Sequence, residues 1–201
     1  MPLIVLEGID GCGKTTQAEL LVTTLCASGK TARRLREPGG TVLGERLRSL
    51  LLDPATTACP TAELFTYLAA RAQLVDEILR PALARGEWLV LDRFWYSTVA
   101  YQGYGLGLDP VAVTAACRLA VGGLKPDAAL WLDVPVTVAA ARRAAGRTAV
   151  DRIEARGDGY QEKVRSGYTA LAAAGDLQRI DAEVPVAELQ AMIQSLALPT
   201  A

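Results

Sequence analysis

Nine residues near the start of the chain, "GIDGCGKTT" from Gly8 to Thr16, hold three glycines, a lysine and two threonines. Gly8-Ile9-Asp10-Gly11-Cys12-Gly13-Lys14-Thr15 fits G-x-x-x-x-G-K-[ST] without a gap. Glycines let a backbone curl until its N–H groups point inward at an anion. A helix starting near Lys14 adds its positive end. The lysine can reach β- and γ-phosphates, and the Thr15 hydroxyl can ligate Mg²⁺. Further on, "EWLVLD" is an apolar run closed by Asp92, an acid placed to hold Mg²⁺ directly or through water. Together these residues say nucleoside triphosphate and Mg²⁺, without saying which reaction.

The remaining arginines point to a second anion. Arg36, Arg48, Arg71 and Arg93 fall at or near the expected carboxyl end of the sheet, and Arg93 directly follows Asp92. A cation there meets a bound phosphate. Tyr67 and Arg71 are four apart on an expected helix and share a face. Such a pair can stack a planar base and donate to a carbonyl on its edge, or can be core packing beside a surface charge. Asp10 is the odd residue, because a carboxylate in an anion loop repels phosphate. It either pairs with a neighbouring arginine or accepts from a hydroxyl such as that of an acceptor's sugar. Arg142, Arg143, Arg147, Arg152 and Arg156 crowd one charged stretch. An arginine-rich flap closing there would neutralise the transferring phosphoryl and exclude water.

Composition narrows the chemistry. The 201 residues contain no histidine, which excludes Ser-His-Asp and Cys-His catalysis. Asparagine is also absent, so the guanine-reading N-K-x-D of a GTPase has no counterpart. Cys12, Cys26, Cys59 and Cys117 are scattered and form no C-x-x-C pair, which argues against zinc and against a disulfide framework. A formal net charge of −1 suggests neither nucleic acid nor a membrane surface as partner. No apolar run approaches the length of a membrane span and no signal-peptide pattern opens the sequence, so a soluble cytoplasmic protein is expected. A motor or transport ATPase would usually be larger. A small-molecule kinase needs a second anion site, which the arginines supply.

Elements must position these groups. Apolar strands are expected at 3–8, 30–36, 87–92, 128–134 and 177–182. Helices are expected at 15–28, 41–53, 60–86 with a break near Pro81, 110–123, 135–146, 161–175 and 185–198, with a mobile flap over 147–160. Short apolar strands separated by helices make a parallel sheet covered on both faces, with ligands beyond the strands' carboxyl ends. Half the residues are apolar (51%), enough for one domain spanning 1–201, with a lid at about 142–160.

The whole pattern resembles the thymidylate kinases of bacterial type, within the P-loop nucleoside monophosphate kinases. The stretches that carry the likeness are "LEGIDGCGKTTQ", "REPGGT" (36–41), "ARAQ" (70–73), "LDRFWYSTVAYQG" (91–103), "LKPDAALWLDV" (124–134) and "DRIE" (151–154), in family order. The resemblance implies a three-layer α/β fold with a five-stranded parallel sheet, transfer of the γ-phosphoryl of ATP to dTMP, Mg²⁺, and a homodimer whose interface candidates are the helices at 60–80 and 110–122. It implies ATP binding by Gly8, Ile9, Asp10, Gly11, Cys12, Gly13, Lys14, Thr15 and Thr16, and metal at Thr15 and Asp92. Asp10 would meet the sugar 3′-hydroxyl of dTMP, and Arg36, Arg48 and Arg93 would surround its phosphate, with Glu37 close by. Tyr67 would stack on thymine, Arg71 would donate to a thymine carbonyl, Ser97 and Gln102 would complete the base's hydrogen bonds, and Tyr101 would lie against the sugar. Lys14, Arg93, Arg152 and Asp10 would be the catalytic set. Trp95 and Tyr96 stand where smaller residues are usual. A related kinase for another nucleotide or nucleoside is the alternative enzyme, and a nucleotide-binding regulator without turnover is the rival of another class.

Overall fold

The computed structural model describes residues 2–146 and 151–198. Five strands, β1 (Leu3–Glu7), β2 (Ala32–Arg36), β3 (Trp88–Asp92), β4 (Ala128–Asp133) and β5 (Gln178–Asp181), form one parallel sheet in the order β2-β3-β1-β4-β5. Every residue of β1 is buried. Alternate side chains of a strand point to opposite faces, so the central strand is covered on both. Its apolar run without alternation has that cause.

The helices are α1 (Lys14–Ala27), α2 (Val42–Leu52), α3 (Pro60–Leu74), α4 (Arg80–Ala84), α5 (Trp95–Thr98), α6 (Pro110–Val121), α7 (Val136–Gly146), α8 (Asp158–Ala173) and α9 (Val186–Ala197). Their ends carry ordinary stop and start chemistry. Thr41 precedes α2 and its side chain accepts from Gly44 N at 2.9 Å. Asp109 caps α6 at Val111 N, Pro110 takes the first turn, and Gly122 turns left-handed after the end. Among the described residues no helix is long and apolar enough to cross a membrane.

Three segments depart from expectation. The break near Pro81 is a π-helical turn, Val75–Leu79, that joins α3 to α4 without interrupting the rod. Proline cannot donate to the preceding turn, and the wider turn before it absorbs the misfit. Residues 95–105, for which no helix was expected, form α5 and a second π-helical turn, Val99–Gly105. Residues 95–103 are all buried, so no polar face betrays the helical period. The flap expected over 147–160 is in its described part a short 3₁₀ turn, Glu154–Arg156, followed at once by α8. Residues 147–150, with Arg147, lie outside the described residues.

The strand order positions the site. β1 pairs with β3 so that Leu6 lies beside Asp92, and β2 pairs with β3 so that Arg36 also lies beside Asp92. The loops leaving β1, β2 and β3 are therefore neighbours at one edge. Leu91, in the middle layer, is fully buried. Leu91→Ala should lower unfolding free energy by about 2–5 kcal/mol in denaturant titration, the usual range for a buried leucine truncated to alanine.

Candidate active site

The loop after β1 can follow its path only with glycines. Gly8 has φ 139, and a Cβ there would sit 2.6 Å from the Leu132 carbonyl oxygen. Gly11 has φ 90, and its Cβ would collide with the Ala139 carbonyl. The Lys14 ammonium is turned into the loop, donating to the carbonyls of Gly8 and Ile9 at 3.0 Å each and lying 3.6 Å from the Cys12 sulfur. The Thr15 hydroxyl donates to Asp92 Oδ2 at 2.7 Å. Hard oxygen donors from one hydroxyl and one carboxylate suit Mg²⁺, which takes few protein ligands and completes its octahedron with phosphates and water. Among the described residues no group of three or more His, Cys, Asp or Glu is placed to hold a metal.

Arg93 ties this loop to the rest of the site. Its backbone is left-handed, φ 72, a conformation in which a non-glycine residue is strained. Arg93 N donates to Leu6 O at 3.0 Å, and the guanidinium engages Asp10 at 2.8 Å, Ser97 Oγ at 2.9 Å, Tyr101 Oη at 2.9 Å and Tyr168 Oη at 3.2 Å. Of the two alternatives for Asp10, the structure takes the arginine pair, and Tyr101 adds a 3.4 Å bond to the other carboxylate oxygen. Burial disfavours the charged form of Asp10, yet Arg93, Lys14 and Arg143 hold its carboxyl well below the usual range. Beneath Arg93 lies Glu7, fully buried at the end of β1. Its carboxylate accepts from the backbone N–H of Phe94 at 2.7 Å and Ser97 at 3.3 Å, and from the hydroxyls of Ser97 and Tyr168, so it caps α5. Burial pushes the Glu7 carboxyl up despite these donors.

Two cavities meet here. The larger lies over Gly11, Cys12, Gly13, Lys14, Thr15 and Thr16 and extends to Arg142 and to Val184–Pro185–Val186. The smaller is walled by Tyr67, Arg71, Phe94, Ser97, Tyr101 and Gln102, with Asp151 and Ile153 from the flap side. Asp10, Glu37, Arg48 and Arg93 line both. Glu37 is buried: its Oε2 accepts from Arg71 Nε at 2.7 Å, and its Oε1 has no hydrogen-bond partner. Burial, only partly offset by Arg71, raises the Glu37 carboxyl to about 7.

Most of the residues singled out in the sequence converge on this double cavity, but several are placed differently. Gly8 and Ile9 do not line it: they serve Lys14 with their carbonyls, and the Ile9 side chain is in the core. Arg36 reaches only the larger cavity, half-exposed and 3.3 Å from Glu45. Ser97 lines the smaller pocket, but its hydroxyl hydrogen is committed to the buried carboxylate of Glu7 rather than turned to a ligand. Arg71 spends Nε on Glu37 and Nη2 on the Phe94 carbonyl at 3.2 Å. Trp95 and Tyr96 stack on each other, centroids 4.0 Å apart, inside the core and away from the pocket.

Arg152 lines neither cavity. Leu51 O accepts from its Nε at 2.8 Å, and Glu63 draws its other end to 2.8 Å. A buried carboxylate attracts the nearest guanidinium, and the alternation of the chain puts Asp151 and Ile153, not Arg152, on the pocket side. At the phosphate loop it is Arg143 that arrives, donating to Asp10 O at 2.6 Å.

Glu7, Glu63 and Tyr168 escaped the sequence reading. Glu7 carries the same signal that singled out Asp92, an acid closing an apolar strand. Glu63 and Tyr168 are legible only once helices are docked.

A carboxyl that titrates near 4.5 in the unfolded chain and about 7 when folded binds its proton more tightly in the folded state. Its contribution to stability is full below the lower value and is lost as pH rises through the higher one. Unfolding titrations from about pH 5 to about pH 8 should therefore show Glu37→Gln gaining on the wild type as pH rises. Parallel pH profiles would refute the assignment.

The match to the thymidylate kinase family model runs over residues 6–193. A thymidylate kinase of Synechococcus sp. (strain CC9311) is 48% identical over 206 residues, covering 99% of this chain and 96% of the relative. That of Synechococcus sp. (strain RCC307) is 46% identical, over 96% of this chain and 93% of the relative. That of Prochlorococcus marinus (strain MIT 9313) is 44% identical, over 96% and 91%. With the family match spanning nearly the whole chain, over a phosphate loop that adjoins a second pocket, the chain belongs to the thymidylate kinase family.

Proposed function

We propose that this chain transfers the γ-phosphoryl group of ATP to dTMP, giving dTDP and ADP. The observation that carries the reading is the shared wall of the two cavities: Asp10, Glu37, Arg48 and Arg93 stand where the ends of two bound nucleotides would meet. The phosphate loop takes the triphosphate, with Lys14 exchanging the carbonyls of Gly8 and Ile9 for β- and γ-phosphate oxygens. Arg142 and the segment at Val184–Pro185 bound the far end of the larger cavity, where the adenine lies. Magnesium held by Thr15 and Asp92 would supply charge neutralisation of the β- and γ-oxygens.

The acceptor sits in the smaller pocket. Tyr67 and Phe94 offer aromatic surface to the base, and Arg71 retains Nη1, whose neighbour is only the weak Cys117 thiol at 3.8 Å, for a base carbonyl. Arg93 and Arg48 hold the monophosphate. Asp10, fixed by Arg93, turns its second oxygen to the sugar hydroxyl. The attacking phosphate oxygen is ionised near neutral pH and needs no general base, which suits a chain without histidine. The chemistry is then positioning and charge stabilisation. Arg143, which donates to Asp10 O, adds a cation beside the loop. The functional unit is a homodimer. Exposed large apolar side chains gather on α2 (Val42, Leu43, Leu50), α3 (Phe65) and α6 (Val111, Leu119), helices that pack side by side.

ADP release with ATP and Mg²⁺ across the common nucleoside monophosphates tests the reading. ADP should form rapidly only when dTMP is added, and formation independent of acceptor would favour an ATPase or a regulator. Lys14→Ala should lower kcat by about two to three orders of magnitude, the scale of losing one preorganised charge contact. Arg71→Lys keeps a cation beside Glu37 but loses the planar fork. Its KM for dTMP should rise by roughly tenfold while KM for ATP holds.

A further inference from the structure

Glu63, in the first turn of α3, is 1% exposed and receives donors from two other segments of the chain. Arg156 donates to Oε1 at 3.1 Å and to Oε2 at 2.6 Å. Arg152 lies 2.8 Å from Oε2. Gln102 donates its amide nitrogen to Oε1 at 3.0 Å. Burial alone would raise the Glu63 carboxyl, but Arg156, Gln102 and Arg152 outweigh it and hold it below the usual range.

This arrangement has two consequences at the pocket. Docking of the two arginines on Glu63 lays the segment 151–160 across α3. Arg152 is held there also by Leu51 O, and Arg156 by Tyr160, which in turn donates to Tyr101 O at 3.1 Å. Asp151 and Ile153 thereby become pocket wall. The second consequence concerns Gln102. An ionised carboxylate only accepts, so the amide of Gln102 must face it with nitrogen. Its carbonyl oxygen is then on the side of the amide away from Glu63, on a residue that lines the pocket. Glu63, Tyr67 and Arg71 recur every fourth residue along α3, so one helix face carries the anchor, the base wall and the base donor.

We propose that Glu63 is a positioning residue that couples docking of the 151–160 segment to selection of the base, by fixing the amide of Gln102 so that its carbonyl accepts from the N3–H of a thymine or uracil and repels the bare N3 of cytosine. The inference rests on the reading of the smaller pocket as the dTMP site. It assigns the discrimination between imide and amidine pyrimidines to a side chain that does not touch the base. The 5-methyl group plays no part in it.

Glu63→Gln in the full chain is the test. A neutral amide at 63 can present either end to Gln102 and offers no charge to the arginines. KM for dTMP should rise, and the ratio of kcat/KM for dTMP over dCMP should fall, each by about tenfold, the cost of one misdirected buried hydrogen bond. The ratio of dTMP over dUMP and KM for ATP should not move, a pattern that general loosening would not give. Arg156→Gln should raise KM for dTMP while keeping the dTMP over dCMP ratio, because Gln102 stays oriented. Should Glu63→Gln fail to fold, Gln102→Leu must lose the same ratio with the melting temperature near wild type. An unchanged dTMP over dCMP ratio in a folded Glu63→Gln or Gln102→Leu overturns the proposal. Absence of dTMP-dependent ADP formation in the wild type overturns the pocket assignment instead, so the two failures are distinct.

Discussion

The site is organised around the guanidinium of Arg93, held 2.8 Å from Asp10 and in hydrogen-bond contact with Ser97, Tyr101 and Tyr168. A guanidinium drawn largely out of water is tolerable only where acceptors and counter-charge surround it. Here Asp10 comes from the phosphate loop, Ser97 from α5, Tyr101 from the π-helical turn and Tyr168 from α8. One side chain thus locks four segments together. The cost is a left-handed backbone at Arg93, and the bond from its N–H to Leu6 keeps that strain from relaxing. A rigid cation at the junction of two anion-binding cavities is what a phosphoryl transfer between two nucleotides requires.

Buried carboxylates complete the arrangement, each with a different task. Glu7 caps α5 and steadies the ring of hydroxyls below Arg93. Glu37 orients Arg71 and leaves one oxygen free at the meeting of the cavities. Glu63 collects arginines from the far side of the pocket together with the amide of Gln102. Glu7 and Glu63 lie behind the ligand-facing side chains, while Glu37 itself lines both cavities. Each uses the same physics: a carboxyl in a low-dielectric surrounding commands the donors near it and so fixes which donor atoms remain for a ligand. The dimer face proposed on α2, α3 and α6 would sit behind the same helix that carries Glu63, Tyr67 and Arg71, so subunit contact and base recognition share a scaffold.

What could be read without coordinates was whatever depends on neighbours in sequence. The phosphate loop is legible because its glycines, Lys14 and Thr15 act within one turn of chain. The strands of the sheet are legible because buried runs such as "LIVLE" do not alternate. Tyr67 and Arg71 share a helix face by spacing alone. The helix at 95–105 was not legible, since a segment buried on every side shows no period. The ion-pair partner of Arg152 was not legible, because an arginine in a charged stretch carries no label for it. Glu63, more than eighty residues away in sequence, chose it.

The sequence by itself determined a phosphate loop with its lysine and hydroxyl, an acid closing the next inner strand, a supply of arginines and the exclusion of histidine chemistry, because these follow from residue type and local spacing. Only the tertiary structure decided which charges meet. The order β2-β3-β1 sets Asp92 beside the loop of Thr15, the docking of α8 brings Tyr168 under Arg93, and the docking of residues 151–160 on α3 sets Arg152 against Glu63. A long-range ion pair is settled by the packing of elements far apart in the chain, where burial lets one carboxylate outcompete water for whichever guanidinium the fold delivers.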